Sequence, residues 1–147
     1  MATTVGSAVF VDTNVLVFAA VVESPFCLRA RGAIKRLERS SAELWISRQV
    51  IREFLAQMTR APRADFSPKD LFSTLRNFEG RFCIAEDQAL VTEQLVFLLE
   101  HVPTGGKQIH DANIVATMLA YHIPKILTFN VSDFQRFAGF VELSSEL

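Results

Sequence analysis

Four acids stand where carboxylate chemistry would need them: Asp12, Glu53, Asp111 and Asp133. Asp12 ends the apolar run Ala8-Val9-Phe10-Val11, and Asp133 follows Ile126-Leu127-Thr128 at a short distance. Glu53 lies a few residues beyond Leu44-Trp45-Ile46. Asp111 opens a stretch that is otherwise overwhelmingly apolar, through Ala112, Ile114, Val115, Ala116, Met118, Leu119 and Ala120. A carboxylate on a nearly buried helix is costly unless it is paired or coordinates a cation. Two unit charges 4 Å apart repel by about 1 kcal/mol in water and about 4 kcal/mol at an effective dielectric of 20. Three or four acids in one crevice therefore call for a counter-charge, and hard oxygen ligands select Mg2+ or Mn2+ rather than zinc. Such a cluster can activate water and steady the charge that develops on a phosphodiester.

Taken singly, each acid has an ordinary alternative. Asp12 serves equally as a helix N-cap, and Glu53 as a solvated helical charge. Asp111 pairs with an arginine elsewhere in the fold, or Asp133 caps a short terminal helix. Asn130 reads equally as a turn residue. The joint pattern is more specific than any member of it.

The elements that must position these groups follow from hydrophobic patterning. Residues 8–11 form a short apolar run without alternation, as expected of a central parallel strand covered on both faces. Asp12 or Thr13 then caps a second apolar stretch of helical length. An amphipathic helix is predicted from about Phe26 to Arg39, with Arg31, Lys35 and Arg39 recurring on one face. Leu44 to Ile46 is a second strand, and Ser47 caps the helix carrying Val50, Ile51, Phe54, Leu55 and Met58; Pro62 ends it. Ser67-Pro68-Lys69-Asp70 opens the next helix with Ser as N-cap, Pro at N1 and an acid at N3, and Gly80 closes it. Phe82 to Ile84 is a further strand, followed by a helix from about Asp87 to Glu100. Gly105-Gly106 marks a loop before the helix of His110 to Tyr121, which Pro124 terminates. A strand at Ile126–Thr128, a short turn or helix at Ser132–Phe137, and a last strand at Phe140–Leu143 complete the chain.

Strands alternating with helices predict a three-layer α/β/α domain around a mainly parallel sheet. In such sheets ligands sit beyond the carboxyl ends of the strands, which is where Asp12 and Asp133 fall. The length of 147 residues suits a single domain over 1–147, with its core from about 8 to 143. Half the residues are hydrophobic and 21% charged, which excludes intrinsic disorder. The longest uncharged apolar run, Val15 to Val22, is far short of the ~20 residues that span a bilayer, and the N-terminus lacks the pattern of a signal peptide. A soluble, cytoplasmic protein without membrane association is expected. Cys27 and Cys83 stand apart among apolar neighbours and read as buried reduced thiols.

Net charge is −1, but it is unevenly spread. From Arg29 to Arg63 there are nine Lys or Arg against three acids, leaving six basic and thirteen acidic residues elsewhere. A basic face beside an acidic site produces this asymmetry, and so do ordinary solvated helix faces. On the first reading Arg31, Lys35 and Arg39 are candidate residues for holding a nucleic-acid backbone, their charge neutralising phosphates.

The chain resembles the PIN-domain ribonucleases, and within them the VapC-type toxins of toxin–antitoxin pairs. The residues that carry the resemblance are Val9-Phe10-Val11-Asp12-Thr13-Asn14-Val15-Leu16-Val17, Glu53 after Ser47, His110-Asp111-Ala112-Asn113-Ile114-Val115-Ala116, and Thr128-Phe129-Asn130-Val131-Ser132-Asp133-Phe134. The resemblance implies Mg2+- or Mn2+-dependent endonucleolytic cleavage of RNA. Asp12, Glu53 and Asp111 carry over as catalytic and metal-binding acids. Many members of the family have an aspartate where this chain has Asn130, so Asp133 is expected to supply the fourth carboxylate and Asn130 an amide oxygen or a substrate contact. Thr13 matches the family's hydroxyl after the first acid, where it orients the site or a phosphate; Asn14 and Thr128 are its expected companions. A cognate antitoxin and a homodimer are the implied partners, with some of the thirteen phenylalanines, on the helices around Phe54 and from Phe66 to Phe78, lining a groove for one or the other.

Two other classes fit the residues less well. A catalytically silent PIN-like interaction module has no need of three acids at these places. A receiver- or phosphatase-like domain would want a second aspartate two residues after Asp12, where Asn14 stands. Gly105-Gly106 matches no phosphate-binding glycine loop, and His101, His110 and His122 have no ligand spacing and read as surface or helix-terminal residues.

Overall fold

In the computed structural model, which describes residues 7–60 and 66–147, strand and helix alternate along the chain. Strand β1 (Ala8–Val11) leads into helices α1 (Thr13–Ala20) and α2 (Cys27–Arg39), then β2 (Glu43–Ser47). Helices α3 (Arg48–Thr59) and α4 (Pro68–Arg81) precede β3 (Cys83–Ala85). Helices α5 (Ala89–His101) and α6 (Gln108–Ala120) precede β4 (Lys125–Leu127). A short α7 (Val131–Phe134) with a 3-10 turn at Gln135–Phe137 connects to β5 (Glu142–Leu143).

The five strands form one parallel sheet in the order β3-β2-β1-β4-β5. The chain builds outward from β1 to β3, then returns to β4 on the other side of β1. Helix α1 packs against α2 and α3, and α5 packs against α6. The central strand is buried on both faces: Val9, Phe10 and Val11 are at most 1% exposed. This is why its sequence is continuously apolar. Ile114, Val115, Ala116 and Met118 bury α6 to a similar degree. No helix among the described residues is long and apolar enough to cross a membrane.

Several boundaries differ from the sequence reading for identifiable reasons. The α4 capping box forms as expected, Ser67 Oγ accepting from Asp70 N while Asp70 Oδ2 accepts from Ser67 N at 2.8 Å. That helix nevertheless runs past Gly80 to Arg81, because Gly80 lies outside the left-handed region that would end it. Phe82 is accordingly its C-cap rather than the first residue of β3. The end assigned to Pro62 lies outside the described residues, as does Arg63 of the basic stretch. The last strand shrinks to two residues because Phe140 and Val141 still bond back to Phe137. Cys27 is buried, but Cys83 is half-exposed on the edge strand β3; both are free thiols. Phe54 and Phe78 are core residues that meet edge to face at 5.1 Å, so neither lines a groove; Phe72 is the exposed phenylalanine of α4. The three histidines are exposed, His101 in the last turn of α5 and His110 in the first turn of α6.

Candidate active site

The order of the sheet sets the position of the site. Between β1 and β4 the connections run in opposite directions, and a parallel sheet opens a crevice beyond the carboxyl ends of such a strand pair. Asp12 follows β1 and Thr128 follows β4, which ends at Leu127, one residue earlier than the sequence pattern placed it. The backbone N–H of Asp12 still donates to the Leu127 carbonyl at 3.0 Å, so the two strand ends are held side by side.

Asp12 is 6% exposed and caps α1. Its Oδ1 accepts from the Thr13 backbone N–H at 2.8 Å. Its Oδ2 accepts from Thr128 Oγ1 at 2.7 Å and from Asn14 Nδ2 at 3.0 Å. A carboxylate offers about four acceptor positions, and these three donors leave one on Oδ1 for a ligand. Burial pushes the Asp12 pKa up from 3.8 to about 6, against the hydrogen bonds from Thr128 and Thr13 and with the help of the charges on Glu53 and Asp111. Capping and ligand binding are thus compatible roles, and the N-cap alternative does not displace the functional one.

Glu53 is half-buried on α3, turned toward Asp12 by the residue between them. Thr13 Oγ1 donates to Glu53 Oε2 at 2.8 Å, and Gln49 Nε2 donates to Oε1 at 2.7 Å. Gln49 stands one turn earlier on the same face, since residues four apart on a helix are neighbours. Its side chain is buried, also donates to the His110 carbonyl at 2.9 Å, and accepts from Asn113 Nδ2 at 2.7 Å. Gln49 and Asn113 therefore fasten the Glu53 face of α3 to the first turn of α6, where Asp111 sits. The sequence reading assigned neither residue a role, although the four-residue spacing of Gln49 and Glu53 was visible in it.

Asp111 is half-buried in that first turn. Burial raises its pKa most, followed by the charges of Asp133 and Glu53; Arg136 and His110 work in the opposite direction. Arg136 is not an ion-pair partner, its guanidinium being bonded to Gln108 Oε1 at 2.5 Å. Among the described residues the five ion pairs all lie elsewhere, so none of Asp12, Glu53, Asp111 and Asp133 is neutralised by a basic side chain at contact distance. Asp133 is exposed in the first turn of α7, whose N-cap is Asn130 without any side-chain capping bond. The backbone N–H of Asn130 donates to Thr128 Oγ1 at 3.0 Å. Of the two acidic charges that act on Asp111, that of Asp133 is the larger and that of Glu53 the smaller. Among the described residues no three His, Cys, Asp or Glu side chains are already gathered as a cage around one cation. The four acids are neighbours by charge across the crevice rather than by contact.

The donor set fits a hard divalent cation. It is all carboxylate oxygen, with no cysteine and no histidine turned to the task, and it retains free acceptor positions on Asp12 and on both oxygens of Glu53. Arg31, Lys35 and Arg39 are exposed on the outer face of α2. A rise of 1.5 Å per residue spreads them over about 12 Å along the axis. Since β1 and β2 are parallel, α2 runs back from the carboxyl ends, so the stripe leads away from the acids. Arg31, at the nearer end, donates to the Ala19 carbonyl at 2.8 Å.

The domain model that matches the chain is the PIN domain, over residues 9–139. No curated protein matches it. Similar folds occur in VapBC2 of Rickettsia felis bound to a promoter DNA fragment (TM-score 0.69, 20% identity, 93% of this chain and 97% of that one). A toxin–antitoxin complex of Klebsiella pneumoniae is comparable (TM-score 0.66, 21% identity, 96% and 98%). So is VapC20 of Mycobacterium tuberculosis, a Sarcin-Ricin loop cleaving toxin (TM-score 0.64, 21% identity, 91% and 97%). The domain match takes in every one of the four acids and, from Val9 onward, the first four strands, and this chain belongs to the PIN domain family.

Proposed function

We propose that this chain is a Mg2+- or Mn2+-dependent endoribonuclease, acting as the toxin of a toxin–antitoxin pair. The observation that carries the reading is the set of four carboxylates without a basic partner, Asp12, Glu53, Asp111 and Asp133, linked to one another by charge near the β1/β4 switch. A structural role would have brought a basic partner to at least the buried member, Asp12, because an uncompensated buried charge costs several kcal/mol. Asp12, Asp111, Glu53 and Asp133 would hold the cation. When bound, it would lower the pKa of attacking water and offset the charge developing on the phosphodiester. The protein's own contribution is orientation: Thr128 and Asn14 fix Asp12, Thr13 ties Glu53 to the same strand end, and Gln49 locks Glu53 to α6. Similarity to VapC20 and to the toxin–antitoxin complexes supports RNA as substrate and an antitoxin as partner. The same reading makes residues 1–147 one cytoplasmic domain, with its core from about 8 to 143, working as a homodimer.

The second reading is a catalytically silent PIN-like interaction module, favoured by the lack of a preformed cage among the described residues. Purified protein free of any antitoxin decides between them. RNA cleavage with Mg2+ or Mn2+ that stops with EDTA and is lost in E53Q and D111N supports the nuclease. Cleavage indifferent to chelation, or equal in parent and both variants, removes the carboxylate site from the reaction.

A further inference from the structure

Asn14 connects the acids to a second surface. Its Nδ2 donates to Asp12 Oδ2 at 3.0 Å, while its Oδ1 accepts from the Phe129 backbone N–H at 3.0 Å. Phe129 therefore stands at the edge of the carboxylate crevice, and it belongs to a cluster of three rings. Phe18 meets Phe129 edge-on at 4.9 Å, and Phe26 lies tilted at 5.5 Å from Phe129 and 5.0 Å from Phe18. Phe18 and Phe129 are half-buried, but Phe26 is 38% exposed. The exposed Arg29 guanidinium lies 5.4 Å from the Phe129 centroid and 5.9 Å from that of Phe26. Among the described residues no Asp or Glu side chain pairs with Arg29, and its hydrogen bond to the Leu147 main-chain oxygen is long at 3.4 Å.

An open aromatic face beside a guanidinium is a surface on which unpaired bases stack, and stacking tolerates any base because each has a π-face. The guanidinium also offers charge to the phosphate of the same nucleotide. We propose that Phe26 and Arg29, backed by Phe18 and Phe129, form a stacking subsite for an unpaired base of the RNA strand close to the bond being cut. The proposal rests on the endoribonuclease reading and adds the place where the strand is gripped. Two observations favour RNA over a protein segment. The backbone of Phe129 is joined to Asp12 through a single side chain, Asn14, and a purely apolar partner would leave the Arg29 side chain without an acidic complement.

The test uses the full chain and a short fluorescent oligoribonucleotide containing one site that the parent cuts. Its Kd is measured in EDTA and its KM and kcat in Mn2+, for the parent, F26A, F26W and R29A. Aromatic stacking on a base corresponds to a roughly five- to hundredfold change in affinity. F26A is expected to raise Kd and KM by a factor in that range with kcat nearly unchanged, F26W to restore both, and R29A to weaken binding in the same direction. An abasic nucleotide moved along the oligonucleotide should reproduce the loss at one position in the parent and add nothing in F26A. Parent-like Kd and KM in F26A, with no abasic-sensitive position, would overturn the subsite and leave this surface to a protein partner. A fall in kcat that F26W does not rescue would overturn it too, since the ring would then merely support Asn14 and Asp12. A parent that cuts no RNA sinks the proposed function, whereas the Kd series in EDTA, run with an unstructured oligoribonucleotide of the same length, still reads the subsite by itself.

Discussion

Replacing Asp12 by Asn separates two consequences of its burial, because one depends on pH and the other does not. Three donors converge on this carboxylate: Thr13 N, Asn14 Nδ2 and Thr128 Oγ1. An amide has only one oxygen, so in either orientation its NH2 group faces at least one donor, at a cost of about 1–3 kcal/mol that is constant with pH. Against this stands the ionisation of the parent. Burial raises the Asp12 pKa from 3.8 to about 6, so the folded protein holds the proton more tightly than the unfolded chain. Asp12 is therefore least harmful below pH 3.8, and the protein loses stability as pH rises through the interval to 6. At 1.36 kcal/mol per pKa unit the full loss is roughly 3 kcal/mol, about two thirds of it between pH 4.5 and 7. Urea unfolding of parent and D12N in EDTA at pH 4.5, 5.5, 7 and 8 reads the difference between the two curves, in which other titrating groups largely cancel. D12N should gain about 2 kcal/mol relative to the parent between pH 4.5 and 7 and then stay level. A difference that is flat across this range, or that moves against D12N as pH rises, refutes the claim that Asp12 is a desolvated carboxylate without a cationic partner.

D111N keeps the side-chain volume and removes a charge that Asp133 and Glu53 oppose, so in EDTA its melting temperature should equal or exceed the parent's, while saturating Mn2+ should stabilise the parent far more than the mutant; a marked drop for D111N in EDTA would reveal a structural partner instead. Q49L strands the Asn113 amide and the His110 carbonyl, and a loss of about 2 kcal/mol or more in urea unfolding is expected together with weaker cleavage through Glu53. Neutralising Arg31, Lys35 and Arg39 together should reduce RNA affinity only through the residues nearest the crevice, with Arg31 carrying most of it; an equal contribution from Arg39 in the salt dependence of binding would contradict the direction in which α2 runs.

Element type and approximate extent were legible because they depend on neighbours in sequence. The run Ala8 to Val11 is a strand because it is apolar on both alternating faces, and Ser67 to Asp70 starts a helix because its cap closes within four residues. The acids were legible for a similar reason: Asp12 breaks an apolar run and Asp111 interrupts a helix that is otherwise buried. Boundaries set by weak local signals were not, as at Gly80, where a residue that tolerates a turn sits in a helix that continues. Nor was the role of Gln49, since a glutamine on a helix declares nothing until its partners are known. Those partners, like the others at the site, come from far along the chain: Thr13 reaches Glu53 across 40 residues, Gln49 reaches Asn113 across 64, and Thr128 reaches Asp12 across 116. Which acids share a crevice follows from the strand order β3-β2-β1-β4-β5, and that order is chosen by the packing of whole faces rather than by any short segment. Local patterning was enough to put carboxylates at a strand end and at the start of a buried helix, whereas the placing of Asp12 beside Thr128, the tie from Gln49 on α3 to α6 and the meeting of Phe26 and Arg29 with Phe129 depend on contacts between elements whose local patterns carry no information about one another.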